Sequence, residues 1–326
     1  MSNSSPPGTG LSGWRETLLI VADLEFWKRA YTSAGDWTVL YEGDVEDDLL
    51  DYLNAANTRA KQVVVACNDC DYGHVRLLSF AGASRQPLIR SNGRPWETGG
   101  WFDLNARVEN MEEQFLRLQD SGWSGLSDPI EWTFGKTTVK EWLAYGPDGI
   151  VWAIIERINP PLDPAARPGS FGPHFNSTQI VGDMREARAF YEGLLGFTQL
   201  VNVADEPVAT QPGQNVLGLP EELATRQRWN ITMLQAPEAG GGSIELLSLP
   251  GLSGRDFAPL ANPPNRGILS LRFPVGDLHR LRVHLADAGV RFAREPQTVT
   301  LPPDGRVTMM TVYGPGGARL DFYQPE

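Results

Sequence analysis

The sequence predicts an α+β fold of four units, each a strand, a helix and about three further strands. Segments 18–35 and 178–196 share one pattern, in which a β-branched strand is followed by an aspartate and an amphipathic helix that ends at glycine. Segments 101–122 and 268–289 repeat it with their own helices. Strand-like runs cluster after each helix instead of alternating with further helices, which favours antiparallel sheets over a parallel α/β core.

The bounds of the four helices follow from their end residues. Each begins after a side chain whose oxygen accepts hydrogen bonds from free N–H groups of the first turn, and these N-caps are Asp23, Asn110, Asp183 and Asp277. Each ends before a glycine, the residue that most easily adopts the positive φ needed there, and these are Gly35, Gly122, Gly196 and Gly289.

The strands that close the units also recur in the sequence. The phrase AYGPDGIVWAIIE begins at Ala144, and VYGPGGARLDFYQ begins at Val312. In each, a turn of glycine and proline precedes an apolar run, as expected for a final strand. VRLLSF at 75–80 and IELLSL at 244–249 match each other in the same way. Four closing strands are therefore predicted, one for each unit.

Length and composition predict two domains. A chain of 326 residues holds two domains of ordinary size. We place an N-terminal domain at 12–156, a proline-rich linker at 157–173 and a C-terminal domain at 174–325. Of the ten tryptophans, only Trp229 lies after residue 153, so the N-terminal domain is rich in tryptophan.

Charge and hydropathy exclude several classes of partner. With 28 Lys and Arg against 40 Asp and Glu, the net charge of −12 disfavours binding to nucleic acid or to an anionic membrane. No apolar run is long enough to cross a bilayer, and the N-terminus lacks the pattern of a signal peptide. Two cysteines give no disulfide framework, so a cytoplasmic location is expected. The expected partner is a small molecule, and the expected assembly is a monomer or homodimer.

The repeated phrases resemble the vicinal-oxygen-chelate superfamily, which includes glyoxalase I, extradiol dioxygenases and bleomycin-resistance proteins. VGDMREARAFYEGLLGF and GPGGARLDFYQ carry the resemblance most clearly. It implies a glyoxalase-like fold, in which four βαβββ modules form two half-open antiparallel barrels around ligand clefts. It also implies that metal ligands, where present, come from the first and last strands of the units.

The ligand positions that this resemblance implies hold few metal-binding side chains. In the C-terminal domain they are Asn176, Glu245, Ser270 and Asp321. In the N-terminal domain they are Glu16, Arg76, Asp103 and Ala153, where an arginine opposes a cation. No cofactor is therefore required, and the N-terminal site is expected to be degenerate. A divalent metal held by His174, Glu245 and Asp321 is the alternative.

The C-terminal cleft is the expected active site. Glu245 or Asp321 would move a proton, because burial raises the pKa of a carboxyl group towards neutrality. Arg272 would hold an oxyanion through its positive charge. The predicted substrate contacts are Asn176, Thr178, Ser270 and Trp229. This predicts a lyase or isomerase for an aromatic or oxygenated metabolite. The alternatives are a metal-dependent dioxygenase or glyoxalase-type enzyme and a non-catalytic drug- or metabolite-binding protein of the resistance type.

Overall fold

The computed structural model describes residues 8–163, 169–238 and 240–326, and its first half contains two βαβββ units. Unit 1 consists of β1 (Glu16–Ile20), α1 (Leu24–Thr32), β2 (Trp37–Asp44), β3 (Ala60–Cys67) and β4 (His74–Phe80), with α2 (Asp47–Tyr52) inserted between β2 and β3. Unit 2 consists of β5 (Leu104–Val108), α3 (Met111–Asp120), β6 (Ser124–Gly125), β7 (Ile130–Phe134), β8 (Thr137–Tyr145) and β9 (Val151–Asn159).

The second half contains two further units of the same kind. Unit 3 consists of β10 (His174–Ile180), α4 (Met184–Arg188), β11 (Thr198–Pro207), α5 (Glu221–Ala224), β12 (Arg228–Gln235) and β13 (Ser243–Ser248). Unit 4 consists of β14 (Gly267–Pro274), α6 (Leu278–Asp287), β15 (Phe292–Leu301), β16 (Gly305–Tyr313) and β17 (Arg319–Pro325). The helix α4 continues as a π-helical segment, Ala189–Leu194.

The predicted helix ends are confirmed with one difference. All four N-cap side chains accept hydrogen bonds from backbone N–H groups of the first turn, namely those of Asp23, Asn110, Asp183 and Asp277. Positive φ is found at Gly122, Gly196 and Gly289. Gly35 is needed for space instead, because a Cβ atom there would lie 2.7 Å from the carbonyl oxygen of Phe171.

The four units form two curled sheets. Sheet A has eight strands in the order β15-β16-β17-β14-β1-β4-β3-β2, so it joins unit 1 to unit 4. Sheet B has nine strands, with the order β11-β12-β13-β10-β5-β9-β8-β6 and with β7 paired to β8, so it joins unit 2 to unit 3. Each half of the chain was expected to close its own barrel. The structure instead builds each sheet from both halves, because β1 pairs with β14 and β5 pairs with β10.

The segment between the halves is partly strand. The predicted linker at 157–173 begins inside β9, which continues to Asn159, while residues 164–168 lie outside the described part of the chain. Phe171 is buried against Trp37 and Trp152. The described part of this segment is therefore packed onto the fold.

The largest apolar cluster joins the two sheets and the helices. It contains residues of both sheets and the buried faces of α1, α3, α4 and α6. On β5, Leu104 and Ala106 belong to this cluster, whereas Asn105 and Arg107 face a cavity on the other side of sheet B, as does Asp103 just before the strand. Alternation along the strands thus separates core from cavity. Among the described residues, no helix is long and apolar enough to cross a membrane.

Candidate active site

Sheet B curls around a cavity of about 310 Å³. Most of its wall is apolar or aromatic, including Phe102, Phe134, Val139, Leu143, Leu200, Val203, Leu217, Ile231 and Leu247. The rings of Trp132 and Trp229 also line it, with their centroids 5.4 Å apart. A concave, largely apolar pocket with a few polar groups is typical of a small-molecule site.

Two carboxyl groups lie in one hydrogen-bonded group on the cavity wall. Oδ1 of Asp103 accepts hydrogen bonds from Nδ2 of Asn105 at 2.8 Å and from the backbone N–H of Thr178 at 3.0 Å. The hydroxyl of Thr178 donates to Oε1 of Glu245 at 3.4 Å. This arrangement follows from strand pairing, since Thr178 on β10 lies beside Glu245 on β13. Thr178 therefore connects the carboxyl groups of units 2 and 3.

A third carboxyl group, that of Glu141 on β8, faces the same cavity. Its Oε2 accepts a hydrogen bond from Nε1 of Trp132 at 2.7 Å. Glu141 is paired in register with Ile155 of β9, which also lines the cavity. Three acidic side chains among the described residues therefore line the cavity, Glu141 from β8, Glu245 from β13 and Asp103 from the residue before β5.

Burial raises the pKa of all three carboxyl groups. The pKa of Asp103 rises to about 6 and that of Glu141 to about 7. The pKa of Glu245 rises to about 8, because burial is reinforced by the nearby charges of Asp103 and Glu141. Groups with pKa values near neutrality can both donate and accept protons at physiological pH. The three carboxyl groups of the cavity can therefore take part in proton transfer.

The structure brings together only some of the residues that were expected to form one site. Asn176, Thr178, Trp229 and Glu245 line the cavity of sheet B. Ser270, Arg272 and Asp321 do not, because β14 and β17 belong to sheet A. The expectation that Glu245 and Asp321 share a cleft is wrong, since unit 3 pairs with unit 2 and not with unit 4.

Asp321 and Arg272 belong to a buried polar network in sheet A. Oδ2 of Asp321 accepts from the hydroxyl of Ser270 at 2.6 Å and from Nε of Arg272 at 3.4 Å. Arg272 also forms an ion pair with Glu16, whose carboxylate accepts two hydrogen bonds from Arg76 at 2.9 and 3.1 Å. These charges neutralise one another, although Nη2 of Arg272 has no hydrogen-bond partner among the described residues. Arg272 cannot hold an oxyanion beside Glu245, because it lies outside the cavity of sheet B.

The same region of sheet A is filled by an inserted helix. Leu49, Leu50 and Tyr52 of α2 are buried in an apolar cluster with strand residues of units 1 and 4. The hydroxyl of Tyr52 hydrogen-bonds Thr311 at 2.7 Å, and Thr311 donates to Oδ1 of Asp321 at 2.6 Å. Packing by α2 therefore occupies the space in which sheet A would hold a ligand.

His174 faces away from the cavity. It was expected to reach a metal site with Glu245 and Asp321, but a β-bulge lies between His174 and Asn176, and Phe175 and Asn176 both line the cavity. Nε2 of His174 hydrogen-bonds the hydroxyl of Tyr31 at 3.0 Å, and burial lowers its pKa to about 3. The proposed metal set of His174, Glu245 and Asp321 is wrong, because its members lie in three separate places.

The ligand positions that the resemblance implied regroup once the sheets are known. Sheet B brings together Asp103, Ala153, Asn176 and Glu245, and sheet A brings together Glu16, Arg76, Ser270 and Asp321. The first set lacks a donor at Ala153, and the second contains an arginine. No group of three or more His, Cys, Asp or Glu side chains within the described ranges is placed to hold a metal ion. The donor set does not fit a metal centre, and no step below passes through one.

Three charged residues of the cavity, Arg107, Glu141 and Arg157, were not predicted from the sequence. On β8, the inward-facing series Thr137, Val139, Glu141 and Leu143 is interrupted by a carboxyl group. On β9, Arg157 ends a similar series after Ile155, whereas Arg107 follows the polar residues Asp103 and Asn105. A charged residue at an inward position of an otherwise apolar strand is the pattern that could have identified Glu141 and Arg157.

Comparison with known proteins agrees with this geometry. Residues 173–322 match the model of the Glyoxalase/Bleomycin resistance protein/Dioxygenase superfamily. The match covers units 3 and 4, which are therefore similar in sequence to that superfamily. No curated protein sequence matches the chain significantly.

Solved structures extend the likeness of the fold to the whole chain. Glyoxalase I from Zea mays is 16% identical, with a TM-score of 0.63 over 96% of this chain and 92% of that one. A putative dioxygenase from Bacillus subtilis is 12% identical, with a TM-score of 0.60 over 97% of this chain and 86% of that one. The glyoxalase-like fold therefore covers units 1 and 2 as well as the matched residues.

Proposed function

We propose that this protein is an enzyme that moves protons on a small aromatic or oxygenated molecule, as a lyase or isomerase, in the cavity of sheet B. The observation that carries the proposal is the hydrogen-bonded group of Asp103, Thr178 and Glu245 in an apolar cavity. Two carboxyl groups with different pKa values in one site are suited to opposite roles in proton transfer. Asp321 and Arg272 have no part in this proposal.

The pKa values assign the roles. Asp103, with a pKa of about 6, is mostly ionised at neutral pH and accepts a proton from a carbon next to a carbonyl group. Glu245, with a pKa of about 8, is mostly protonated and donates a hydrogen bond to the oxygen that becomes negative. Return of the proton to a different carbon gives isomerisation, and departure of a leaving group gives elimination.

Proton exchange in D2O tests this proposal without knowledge of the natural substrate. The protein is incubated with small aromatic ketones and 2-hydroxy ketones, and deuterium at the carbon next to the carbonyl is followed by NMR. We expect incorporation with the wild-type chain and a loss of at least 100-fold in Glu245→Gln and Asp103→Asn. Glu222→Gln, at an exposed position on α5, is the matched control.

The second candidate function is binding without catalysis, and the aromatic wall favours it. The rings of Trp132 and Trp229 can stack on a planar guest, and Trp132 also lies 5.1 Å from Phe134. Tight binding of members of the same panel with no exchange above the buffer rate would contradict the catalytic proposal and support this one.

A further inference from the structure

Two arginines lie at one end of the cavity, away from the proposed reacting groups. Arg107 on β5 and Arg157 on β9 line this end together with Phe175. Arg107 follows Asp103 by four residues on the same face of the strand. At a rise of roughly 3.3 Å per residue, their Cα atoms are about 13 Å apart. The cavity thus has an acidic region and a cationic end.

Neither guanidinium has a counterion within the described part of the chain. The ion pairs found there do not include Arg107 or Arg157, and Nε of Arg157 is buried without a hydrogen-bond partner. The guanidinium carbon of Arg107 lies 3.9 Å from the centroid of Phe175, which holds the group in place by a cation–π contact. Arg107 and Arg157 are both half-buried. Guanidinium groups in such positions usually pair with carboxylates, so two of them in one cavity without a carboxylate partner among the described residues are unusual.

The two positive charges affect each other. Burial lowers the pKa of Arg107, and the charge of Arg157 lowers it further. Keeping like charges close together in a partly apolar site costs free energy that an anion would offset. The two arginines lie together without an acidic partner although the protein has a net charge of −12 and acidic side chains are abundant elsewhere on the chain. A bound anion is the partner that the arrangement lacks.

We infer that the molecule that occupies the cavity is a hydrophobic anion, whose carboxylate or phosphate group binds Arg107 and Arg157 while its apolar part lies along the wall towards Glu245. Guanidinium groups present parallel N–H donors that match the oxygens of either anion. This inference rests on the proposed function for the end of the molecule that reacts near Glu245, and it assigns the chemistry of the opposite end. The substrate is therefore a carboxylic acid or a phosphate ester.

Calorimetric titration of the full chain with three naphthalene derivatives tests the inference. The probes are 2-naphthoate, 2-naphthyl phosphate and the neutral 2-naphthalenemethanol, which share one apolar ring system. We expect at least one anionic probe to bind tenfold or more tightly than the alcohol. Arg107→Gln and Arg157→Gln should each weaken its binding fivefold or more and leave the alcohol within twofold. Arg280→Gln, at an exposed position on α6, is the control and should change nothing.

The outcomes separate this inference from the proposed function. Equal affinity for the three probes, no binding of any of them at 1 mM, or equal weakening of anion and alcohol by the arginine variants would overturn the inference. Selective binding of an anion without proton exchange would leave it standing and count against catalysis. A preference between naphthoate and naphthyl phosphate identifies which anion the natural molecule carries. Thermal unfolding midpoints that do not fall in either variant would show that a loss of binding comes from the ligand contact and not from a weakened fold.

Discussion

Glu16 and Arg272 are 256 residues apart in the sequence and form a buried ion pair in sheet A. The pair connects β1 with β14, and therefore unit 1 with unit 4. The same carboxylate also binds Arg76 of β4. Burial alone would raise the pKa of Glu16, but the Arg76 and Arg272 guanidiniums outweigh it and bring the pKa to about 2. In sheet A, the positions that the resemblance assigned to ligand binding are therefore occupied by an ion-pair network that links unit 1 to unit 4.

Replacement of this carboxylate should destabilise the protein strongly. Glu16→Gln leaves two buried guanidiniums without their shared counterion, and the expected loss is roughly 3 to 5 kcal/mol in the free energy of unfolding. Urea denaturation at pH 7 measures it. In the wild type, the stabilisation from Glu16 should disappear as the pH falls from its unfolded pKa, about 4.5, towards 2. Equal acid sensitivity of wild type and variant would contradict this prediction.

Replacement of Glu245 should have the opposite effect on stability. Its folded pKa is raised, so the folded state keeps a proton that the unfolded chain loses, and this group costs the wild type stability as the pH rises from about 4.5 to about 8. Glu245→Gln removes the cost, and the expected gain at pH 8 is roughly 1 to 3 kcal/mol, allowing for solvent in the cavity. Thermal and urea unfolding at pH 5 and pH 8 measure it. Glu222→Gln should show no such dependence on pH.

Removal of the indole hydrogen bond to Glu141 should raise the pKa of that carboxyl group. Nε1 of Trp132 donates to Oε2 of Glu141 and favours its ionised form. In Trp132→Phe the pKa should rise above 7 by about one unit, which corresponds to a hydrogen bond of roughly 1.5 kcal/mol. Titration of carboxyl ¹³C resonances measures the change. Trp229→Phe replaces a neighbouring indole that makes no hydrogen bond to Glu141, and it should leave the pKa of Glu141 unchanged.

His174 should stabilise the fold only in its neutral form. Its folded pKa, about 3, is below the usual 6.5, so its stabilising effect is complete above pH 6.5 and is lost as the pH falls towards 3. His174→Gln should cost about 1 to 3 kcal/mol at pH 8 and less at pH 5, as measured by urea denaturation. Affinity for 2-naphthoate should stay within twofold, because the imidazole lies outside the cavity. A large loss of affinity in the folded variant would contradict the placement of His174.

Local patterns predicted the units because their causes are local. The N-cap residues Asp23 and Asp277 satisfy N–H groups within their own first turns. Alternation along β8 and β9 follows from the geometry of a single strand. These features depend on residues a few positions apart, so they can be recognised in any one segment.

Which residues form the site could not be predicted from any single segment, because it depends on how distant strands pair. The resemblance implied one ligand position on each of eight strands, but it did not tell whether Glu245 meets Asp321 or Asp103. The β-bulge between His174 and Asn176 is equally hidden, since the sequence around it shows no interruption of the strand. One shifted residue exchanges the faces of a strand, and this moved His174 from the cavity into the core.

The sequence by itself determined the four βαβββ units, their helix ends and the turns before their last strands. Only the tertiary structure decided which units share a sheet, and hence that Asp103, Thr178 and Glu245 meet in a cavity while α2 and the Glu16–Arg272 pair fill the other sheet. The physical reason is the range of the interactions. Helix capping and strand alternation depend on residues within one segment, whereas strand pairing and the burial of charge depend on contacts between residues that lie far apart along the chain.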